Sequence, residues 1–358
     1  MAAETSNKAA YLHKAGEPLK VGDAPMPKAG PTEMVIRNGA IAINPVDTHM
    51  QQAGVFIQEW PAIFGCDVAG EVHEIGSEVA AEGRFKVGDR VIGHTINLTT
   101  GRSQDGAFAL YSVVQSAKAA ILPSTIPFTE GVVVPFALEA AICALSVTEP
   151  GVALPGVPTP ALGLPYPTLD SAKPLGKVLI VYGGSSSVGS MTTQLAFAAG
   201  IKVVSVSGSH NFDLVKRCGA SEVFDRDDPE LVEKLIAAVA KAAGEDDAEF
   251  VGIFDAVCSP ETYAHDLAVL ARLGGGHLAC VHPPPAEGVP ENVKAGMIFA
   301  VNDVATPVWK EYVTPALERG KLQCLPPPTV VGKGLEFVQT ALEKCVAGVS
   351  ATKLVVEL

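Results

Sequence analysis

The stretch Val178-Leu-Ile-Val-Tyr-Gly-Gly-Ser-Ser-Ser-Val-Gly-Ser190 decides the fold. An apolar run ends in glycines and serines, and a helical pattern of small and apolar residues follows over 188–199. A strand that enters a helix through glycines turns backbone N–H groups and the positive end of the helix dipole towards an anion. Because three serines break the plain G-x-G-x-x-G spacing, the loop alone fits either a nucleotide site or an ordinary helix cap.

The alternation around this stretch favours the nucleotide site. The pattern predicts strands at 177–182, 202–207, 222–225, 250–256, 276–281 and 297–301, alternating with helices at 188–199, 211–218, 230–243 and 260–272. Repeated strand–helix units with nearly continuous apolar strands are typical of a parallel sheet covered on both faces. We therefore predict an α/β dinucleotide-binding domain in this part of the chain.

The residues before it are predicted to form a small β-barrel. Short apolar runs separated by proline and glycine predict strands at 8–13, 33–37, 40–43, 64–72, 87–93 and 106–114. An apolar helix is expected at 129–147, and a proline- and glycine-rich surface excursion without regular periodicity at 149–173. A helix at 334–346 and a strand at 353–357 complete the pattern.

Composition limits the function classes. The 358 residues predict about two domains, and no apolar run approaches the roughly 20 residues of a membrane span. The formal charge of −13 argues against nucleic-acid and acidic-membrane partners. Seven cysteines without a C-x-x-C pair indicate reduced thiols, and the polar first residues favour a cytoplasmic location.

The end of the second predicted strand indicates which dinucleotide is bound. A site for NAD carries an acidic residue there, whereas this chain reads Ser207-Gly-Ser-His-Asn211. These side chains, with Arg226 after the third strand, suit a 2′-phosphate, and we therefore predict NADPH. The alternative is a plain loop with a solvated arginine.

The order of these parts resembles the medium-chain dehydrogenase/reductase superfamily, zinc-independent branch, over nearly the whole chain. Val-Gly-Asp-Arg-Val at 87–91 belongs to that pattern. The chain most resembles the fungal trans-acting enoyl reductases of polyketide biosynthesis (lovastatin-type). The closer match is carried by Ala42-Ile-Asn-Pro-Val-Asp-Thr48, Val181-Tyr-Gly-Gly-Ser185, His210-Asn-Phe-Asp-Leu214, Gly219-Ala-Ser-Glu-Val-Phe-Asp225 and Lys353-Leu-Val-Val356. The resemblance implies a GroES-like β-barrel catalytic domain at 1–130, a Rossmann doubly wound parallel sheet at 131–321, and a return to the first domain at 322–358.

The resemblance also implies site residues. NADPH contacts are expected at Asp47, Thr48, His49, Met50, Ser185, Ser186, Ser187, Val188, Gly208, Ser209, His210, Asn211, Thr352 and Lys353, beside Arg226. Substrate-lining positions are expected at Phe136, Ala137, Leu138, Glu139, Ala140, Ala141 and Ile142, and at Val281, His282, Pro283, Pro284 and Pro285. His49, Arg226 and Ala140 depart from residues that are common in relatives, which affects the exact ribose and nicotinamide contacts.

Zinc-dependent members of the superfamily hold their metal with a cysteine, a Gly-His-Glu and a distant cysteine. Here the matching places are Asp47 and Gly65-Cys66-Asp67, without the histidine, and residues 94–105 contain no cysteine of a structural zinc lobe. Asp47, Cys66 and Asp67 are the alternative ligand set. We predict no metal and interpret Cys66 as a small buried residue. Alcohol oxidation in this superfamily uses the metal to convert the alcohol into an alkoxide. Reduction of an activated C=C bond needs no such metal and is therefore favoured.

The predicted reaction is hydride transfer from NADPH to the β-carbon of an α,β-unsaturated thioester, which a polyketide synthase acyl carrier domain is expected to carry. His49 and His282 are the candidate proton donors, with solvent as the alternative. We interpret His13, His73, His94, His265 and His277 as structural or surface residues. Two other functions stay open: a stand-alone quinone or enone oxidoreductase, and a non-catalytic NADPH-binding scaffold. A monomer is favoured over a homodimer.

Overall fold

The computed structural model describes residues 6–170 and 172–358. The chain folds into two compact units. Unit 1 comprises Met1–Phe136, Trp309–Glu318 and Pro327–Leu358, and unit 2 comprises Ala137–Val308 and Arg319–Pro326. The chain therefore passes between the units more often than the sequence suggested, because 309–318 belongs to unit 1 and 319–326 to unit 2.

The strands and helices cover most of both units. The strands are β1 (Asn7–Tyr11), β2 (Lys20–Ala24), β3 (Glu33–Ala42), β4 (Asp67–Ile75), β5 (Arg90–His94), β6 (Tyr111–Gln115), β7 (Ala119–Ile121), β8 (Val152–Leu154), β9 (Val157–Pro158), β10 (Lys177–Tyr182), β11 (Lys202–Ser207), β12 (Glu222–Asp225), β13 (Glu249–Asp255), β14 (Gly276–Cys280), β15 (Val293–Met297), β16 (Pro328–Lys333) and β17 (Lys353–Glu357). The helices are α1 (Pro45–Ala53), α2 (Ser77–Glu82), α3 (Asn97–Thr100), α4 (Phe128–Gly131), α5 (Pro135–Ser146), α6 (Ser187–Ala198), α7 (Phe212–Arg217), α8 (Leu231–Asp246), α9 (Pro260–Arg272), α10 (Val313–Glu318) and α11 (Phe337–Ala347).

Unit 2 is built on a parallel sheet of six strands in the order β12-β11-β10-β13-β14-β15. The side chains from Val178 to Val181 in β10 are fully buried, as their continuous apolar run predicts. On one face, Leu235 of α8 and Val269 of α9 join the core with Ile180. The predicted α/β class with a doubly wound parallel sheet is confirmed.

Unit 1 is built on the order β16-β17-β3-β4-β5-β7, with β6 also paired to β3. The sequence predicted two strands where the structure has the single strand β3, because Asn38-Gly39 resembles a break. The register with β4 shifts between Asn38 and Ala40. The buried Asn38 side chain donates to the Ala109 carbonyl and the Ser112 hydroxyl, each at 2.8 Å, so the strand continues through this irregularity.

Three further predictions are corrected. The strand expected at 297–301 lies earlier, at β15, where Gly296 is needed because a Cβ atom would come within 2.6 Å of the Pro160 nitrogen. The excursion at 149–173 contains the β8–β9 hairpin. The helix expected at 129–147 is divided into α4 and α5. Strands β2, β7 and β16 were not anticipated, since their sequences lack a clear alternating or apolar run.

One stretch has the length and composition of a membrane span, contrary to the sequence-based expectation. Phe128–Ser146 covers 19 residues with a mean hydropathy of 1.7. Of this window, 83% is buried inside the protein, as in the core helix of a globular fold. Its apolar character is therefore accounted for by burial within the chain.

Candidate active site

The glycine turn after β10 is shaped by three glycines. Gly183 has φ +79°, a conformation that side chains rarely adopt. A Cβ atom on Gly184 would lie 2.0 Å from the Ser205 hydroxyl, and one on Gly189 would lie 2.2 Å from the Gly183 carbonyl oxygen. These close approaches allow helix α6 to start directly after strand β10, at Ser187.

The first turn of α6 presents hydrogen-bond donors. The Ser186 hydroxyl caps the helix by accepting the Gly189 N–H at 3.0 Å. Within 6–170 and 172–358, the N–H groups of Ser187 and Val188 have no protein acceptor, and the buried Ser187 hydroxyl has no partner either. Unpaired donors at a helix N-terminus form an anion cradle. These residues fit the diphosphate of a dinucleotide.

The loop after β11 lies beside this cradle. The Asn211 amide donates to the Ser185 hydroxyl at 3.2 Å, which ties the loop to the glycine turn. The Arg226 N–H donates to the Ser207 carbonyl at 3.0 Å, since β11 and β12 pair Ser207 with Asp225. His210 and the Arg226 side chain are both exposed here. The predicted 2′-phosphate residues are therefore neighbours at one edge of the sheet.

Unit 1 contains a buried acid–lysine cluster, formed by Asn44, Asp47, Cys66, Asp67 and Lys353. The carboxylate of Asp67 accepts the Asn44 amide at 2.8 Å, the Lys353 ammonium at 3.2 Å and the Phe136 N–H at 2.6 Å. Lys353 also donates to the Asn44 side-chain oxygen. The cluster thus joins β4, β17 and the residue that precedes α1.

Asp47 sits in the first turn of α1 and belongs to the same cluster. Its carboxylate accepts the Asn44 N–H at 2.7 Å and faces the Cys66 thiol at 3.8 Å. Complete burial raises the pKa of Asp47 to about 7, and the nearby Asp67 adds to this while the Asn44 N–H and Lys353 oppose it. Burial, followed by the two carboxylates, raises the pKa of the Cys66 thiol well above its usual value. Near neutral pH the cluster can therefore hold or release a proton at Asp47.

The cluster does not fit a catalytic zinc. Zinc requires three ligand atoms with free electron pairs and one open position. Both oxygens of Asp67 already accept hydrogen bonds, and the Lys353 ammonium lies 3.2 Å from one of them. The described residues contain no group of three histidine, cysteine or acidic side chains with metal-site geometry. A second cation beside this ammonium would be repelled.

The remaining predicted contacts divide between the units. In unit 1, Met50 is fully buried, Thr48 donates its hydroxyl to the Pro45 carbonyl at 2.7 Å, and His49 is exposed. The Thr352 hydroxyl donates to the Pro327 carbonyl at 2.8 Å. In unit 2, Gly208 is buried and Ser209 is exposed after β11.

The predicted substrate positions differ in exposure. Every side chain from Phe136 to Ile142 is buried, so this part of α5 offers almost no surface as it stands. The segment 281–285 follows β14 at the same sheet edge as the glycine turn, and His282 there is half-buried. The Pro283 carbonyl accepts the Tyr263 hydroxyl at 2.8 Å, which fixes this segment against α9.

Sequence reasoning missed a buried carboxyl pair, Asp255 and Asp266, at this edge of unit 2. Asp255 accepts the N–H groups of Val257 and Cys258, at 2.8 and 2.9 Å, and the Thr262 hydroxyl at 2.5 Å. Burial and then Asp255 raise the pKa of Asp266 well above its usual value. An acid directly after an apolar strand was the available signal for Asp255, but nothing in the pattern marked Asp266 as its neighbour.

His94 is also different from its interpretation as an ordinary structural or surface residue. It is completely buried, stacks on Phe136 with ring centroids 5.8 Å apart, and neither ring nitrogen has a partner among the described residues. Burial, then Lys118 and Lys353, lower its pKa well below the usual value. The imidazole is therefore neutral at physiological pH.

Comparison with known proteins gives the same two parts. Residues 30–124 match the profile of the alcohol dehydrogenase GroES-like domain, and residues 187–300 match that of the zinc-binding dehydrogenase family. The chain is 69% identical to dehydrogenase orsE of Emericella nidulans over 354 residues, which are 99% of each protein. It is 37% identical to trans-enoyl reductase himH of Aspergillus japonicus, over 98% of this chain and 97% of that one.

The fold agrees with a solved structure. An alcohol dehydrogenase superfamily protein from Novosphingobium aromaticivorans superposes with a TM-score of 0.75 at 19% identity, covering 99% of this chain and 100% of that one. A barrel-type unit with a dinucleotide-type unit, and the matches above, define an oxidoreductase. The chain belongs to the medium-chain dehydrogenase/reductase superfamily, as its sequence motifs predicted.

Proposed function

We propose that the protein is an NADPH-dependent trans-acting enoyl reductase, which reduces the C=C bond of an α,β-unsaturated polyketide thioester. The name of the himH relative supports the reaction class. The observation that carries the proposal is the acid–lysine cluster, where the Lys353 ammonium takes the place beside Asp67 that a metal would need. Reduction of an activated C=C bond suits such a site, because the thioester carbonyl of the substrate accepts the charge.

The residues of unit 2 bind and orient the cofactor. The free N–H groups of Ser187 and Val188 bind the diphosphate, while the loop 207–211 and Arg226 bind the 2′-phosphate. Bound NADPH supplies the hydride for the β-carbon of the substrate. The protein's contribution is orientation and exclusion of water.

The α-carbon then requires a proton. His49, exposed on α1, and His282, half-buried after β14, are the candidate donors in the two units, with solvent as the alternative. A donor histidine supplies the proton through its ring N–H, so the matching His→Gln variant should lose most of kcat. Unchanged kcat in both His49→Gln and His282→Gln assigns the step to solvent.

The reaction is tested by following NADPH absorbance with purified full-length protein. We expect turnover of trans-2-hexenoyl N-acetylcysteamine thioester with NADPH and much less with NADH. Turnover of quinones alone would replace the proposal with a stand-alone quinone oxidoreductase. NADPH binding without turnover of either compound would indicate a cofactor-binding scaffold.

The 2′-phosphate contact is tested with Arg226→Ala. Loss of a charge-assisted hydrogen bond should raise KM for NADPH about tenfold and leave KM for NADH unchanged. Arg272→Ala is the matched control, because this exposed arginine pairs with Glu233 on the surface of the same unit. Equal KM values for NADPH in the two variants would remove Arg226 from the site.

The proposal includes a cytoplasmic monomer that receives its thioester from a polyketide synthase. The name of the fungal relative, a trans-enoyl reductase, supports the enoyl substrate of this proposal. Light scattering after size exclusion tests the oligomeric state, and cell fractionation tests the location.

A further inference from the structure

Unit 2 contains a cleft at the sheet edge opposite the glycine turn. This cleft has a volume of about 860 Å³ and lies at the amino ends of β10 and β11 and the last turns of α6 and α7. Strand β10 runs from Lys177 in the cleft to Tyr182 beside the glycine turn. The five residue steps from Lys177 to Tyr182 separate the two places by about 17 Å, so an occupant of the cleft leaves the cofactor cradle free.

The cleft is basic in an acidic protein. Its lining contains the five cations Lys177, Lys202, Lys216, Arg217 and Lys321, and one described acid, Asp170, in a chain of net charge −13. Lys177 forms an ion pair with Glu249 at 2.7 Å, and Arg217 donates to the Gln323 side chain at 3.1 Å. Lys216 and Lys321 are exposed and form no ion pair within the part of the chain that the structure describes. Their positive charge is therefore available to a partner.

The same surface exposes large apolar side chains. Phe197, in the last turn of α6, is 60% exposed, and its ring lies so close to Gly219 that a Cβ atom there would come within 2.6 Å. Leu175, 42% exposed, is held nearby through its N–H bond to the Gly200 carbonyl at 2.9 Å. Phe197 and Arg217 line the same cleft, and aromatic side chains and arginines are enriched at protein–protein interfaces.

The chemistry of the cleft favours a polypeptide over a small phosphate. Two helices, α6 and α7, end at the cleft, and the partial negative charge of their last carbonyls opposes a compact anion inside it. The cations Lys216, Arg217 and Lys321 come from two separate segments, so carboxylates spread along a chain can meet them. Nucleic acid is disfavoured by the net charge of −13. We propose that this cleft docks an acidic polypeptide segment of a partner protein, with an apolar side chain of that segment against Phe197.

The docking proposal is independent of the reaction proposed above, since it concerns the opposite edge of the sheet. The probe is a fluorescein-labelled peptide, Glu-Glu-Asp-Leu-Leu-Glu-Asp-Glu, added to full-length protein and followed by fluorescence anisotropy. We expect saturable binding that weakens as salt is raised. At constant salt, binding should also weaken when both leucines of the peptide are replaced by serine or when Phe197 is replaced in Phe197→Ser, because each change removes one side of the proposed apolar contact.

The decisive variant is the double charge reversal Lys216→Glu with Arg217→Glu. Like charges that face each other in an interface repel, so peptide affinity should fall more than tenfold. The matched control, Lys20→Glu with Lys28→Glu, makes the same change in net charge at exposed residues of unit 1 and should bind the peptide like the original protein. NADPH affinity should be the same in all three proteins, which shows that the cleft variant is folded.

Three outcomes would overturn the proposal. The first is equal loss of peptide binding in both charge reversals, which would show that only net charge matters. The second is displacement of the peptide by micromolar pyrophosphate, which would assign the cleft to a small anion. The third is a dimer in light scattering that the cleft reversal abolishes, which would assign it to a second copy of the chain. Failure of thioester turnover would affect only the proposed reaction and leave this result standing.

Discussion

The two units bury acidic side chains in opposite ways. In unit 1, Asp67 is neutralised by the ammonium of Lys353 at 3.2 Å, with Asp47 beside them. In unit 2, Asp255 is satisfied by two N–H groups and a hydroxyl, and the adjacent Asp266 has its pKa raised well above the usual value. The first site is balanced by a cation, whereas the second relies on hydrogen-bond donors at Asp255 and on a raised pKa at Asp266. A buried carboxyl group can thus be stabilised either by a nearby cation or by hydrogen-bond donors and a raised pKa. The two arrangements should respond differently to mutation and to pH.

The largest loss of stability is expected for Lys353→Met. This change leaves the buried Asp67 carboxylate without its cation, and we expect a loss of about 3–5 kcal/mol in unfolding free energy at pH 7. Urea denaturation measures it. The control is Lys333→Met, which removes an exposed pair with Glu357 at 2.8 Å and should lose less than about 1 kcal/mol. Similar losses in the two variants would contradict the role given to Lys353.

The pH dependence of Asp47 sharpens the comparison. Its pKa is raised in the folded protein, so the folded state binds more protons than the unfolded state between about pH 4 and about pH 7. Stability should fall with rising pH in this window, by up to about 1.4 kcal/mol per pH unit more than in Asp47→Asn. Above about pH 7 the two stability curves should run parallel. Parallel curves from pH 4 upwards would show that Asp47 titrates normally.

The smallest effect is expected for Asp266→Asn. Burial and Asp255 raise the pKa of Asp266 well above its usual value, which favours the uncharged carboxyl group, so replacing it by an uncharged amide of the same size should change stability by about 1 kcal/mol or less. The same substitution in the other unit, Asp67→Asn, should lose about 3–5 kcal/mol, because it leaves Lys353 buried without a counter-ion. Urea denaturation of both variants at pH 7 gives the contrast. A large loss in Asp266→Asn would mean that this carboxyl group is ionised.

Local pattern was sufficient for most of unit 2. Strands β10, β11 and β12 and helix α9 have the predicted bounds, because long apolar runs and a Ser–Pro start are strong local signals. The sequence wrongly predicted two strands in place of β3, with a break at Asn38-Gly39. The hydrogen bonds that stabilise Asn38 inside the strand are made with Ala109 and Ser112, which are distant in sequence. The shift of β15 has the same origin, since its position depends on contacts of Gly296 with the excursion.

The candidate site was predictable in part. The cradle at Ser186 followed from the glycine turn, and the structure places it as expected at the start of α6. The family resemblance marked Asp47 and Lys353 as cofactor contacts, which stays a prediction. The resemblance did not indicate that Asp47 and Lys353 form one cluster with Asp67. Asp67 lies in β4 and Lys353 in β17, which are far apart in the sequence, so no local sequence pattern predicts their contact.

The position of β17 has a consequence for biosynthesis. This strand lies inside its sheet, between β16 and β3, and supplies Lys353. A ribosome makes β3 and β4 early and β17 only after all of unit 2. Until β17 has been synthesised, the sheet of the first unit is incomplete and Asp67 lacks the ammonium of Lys353. Chaperones that bind during translation should therefore bind mainly to the segment that contains β3 and β4.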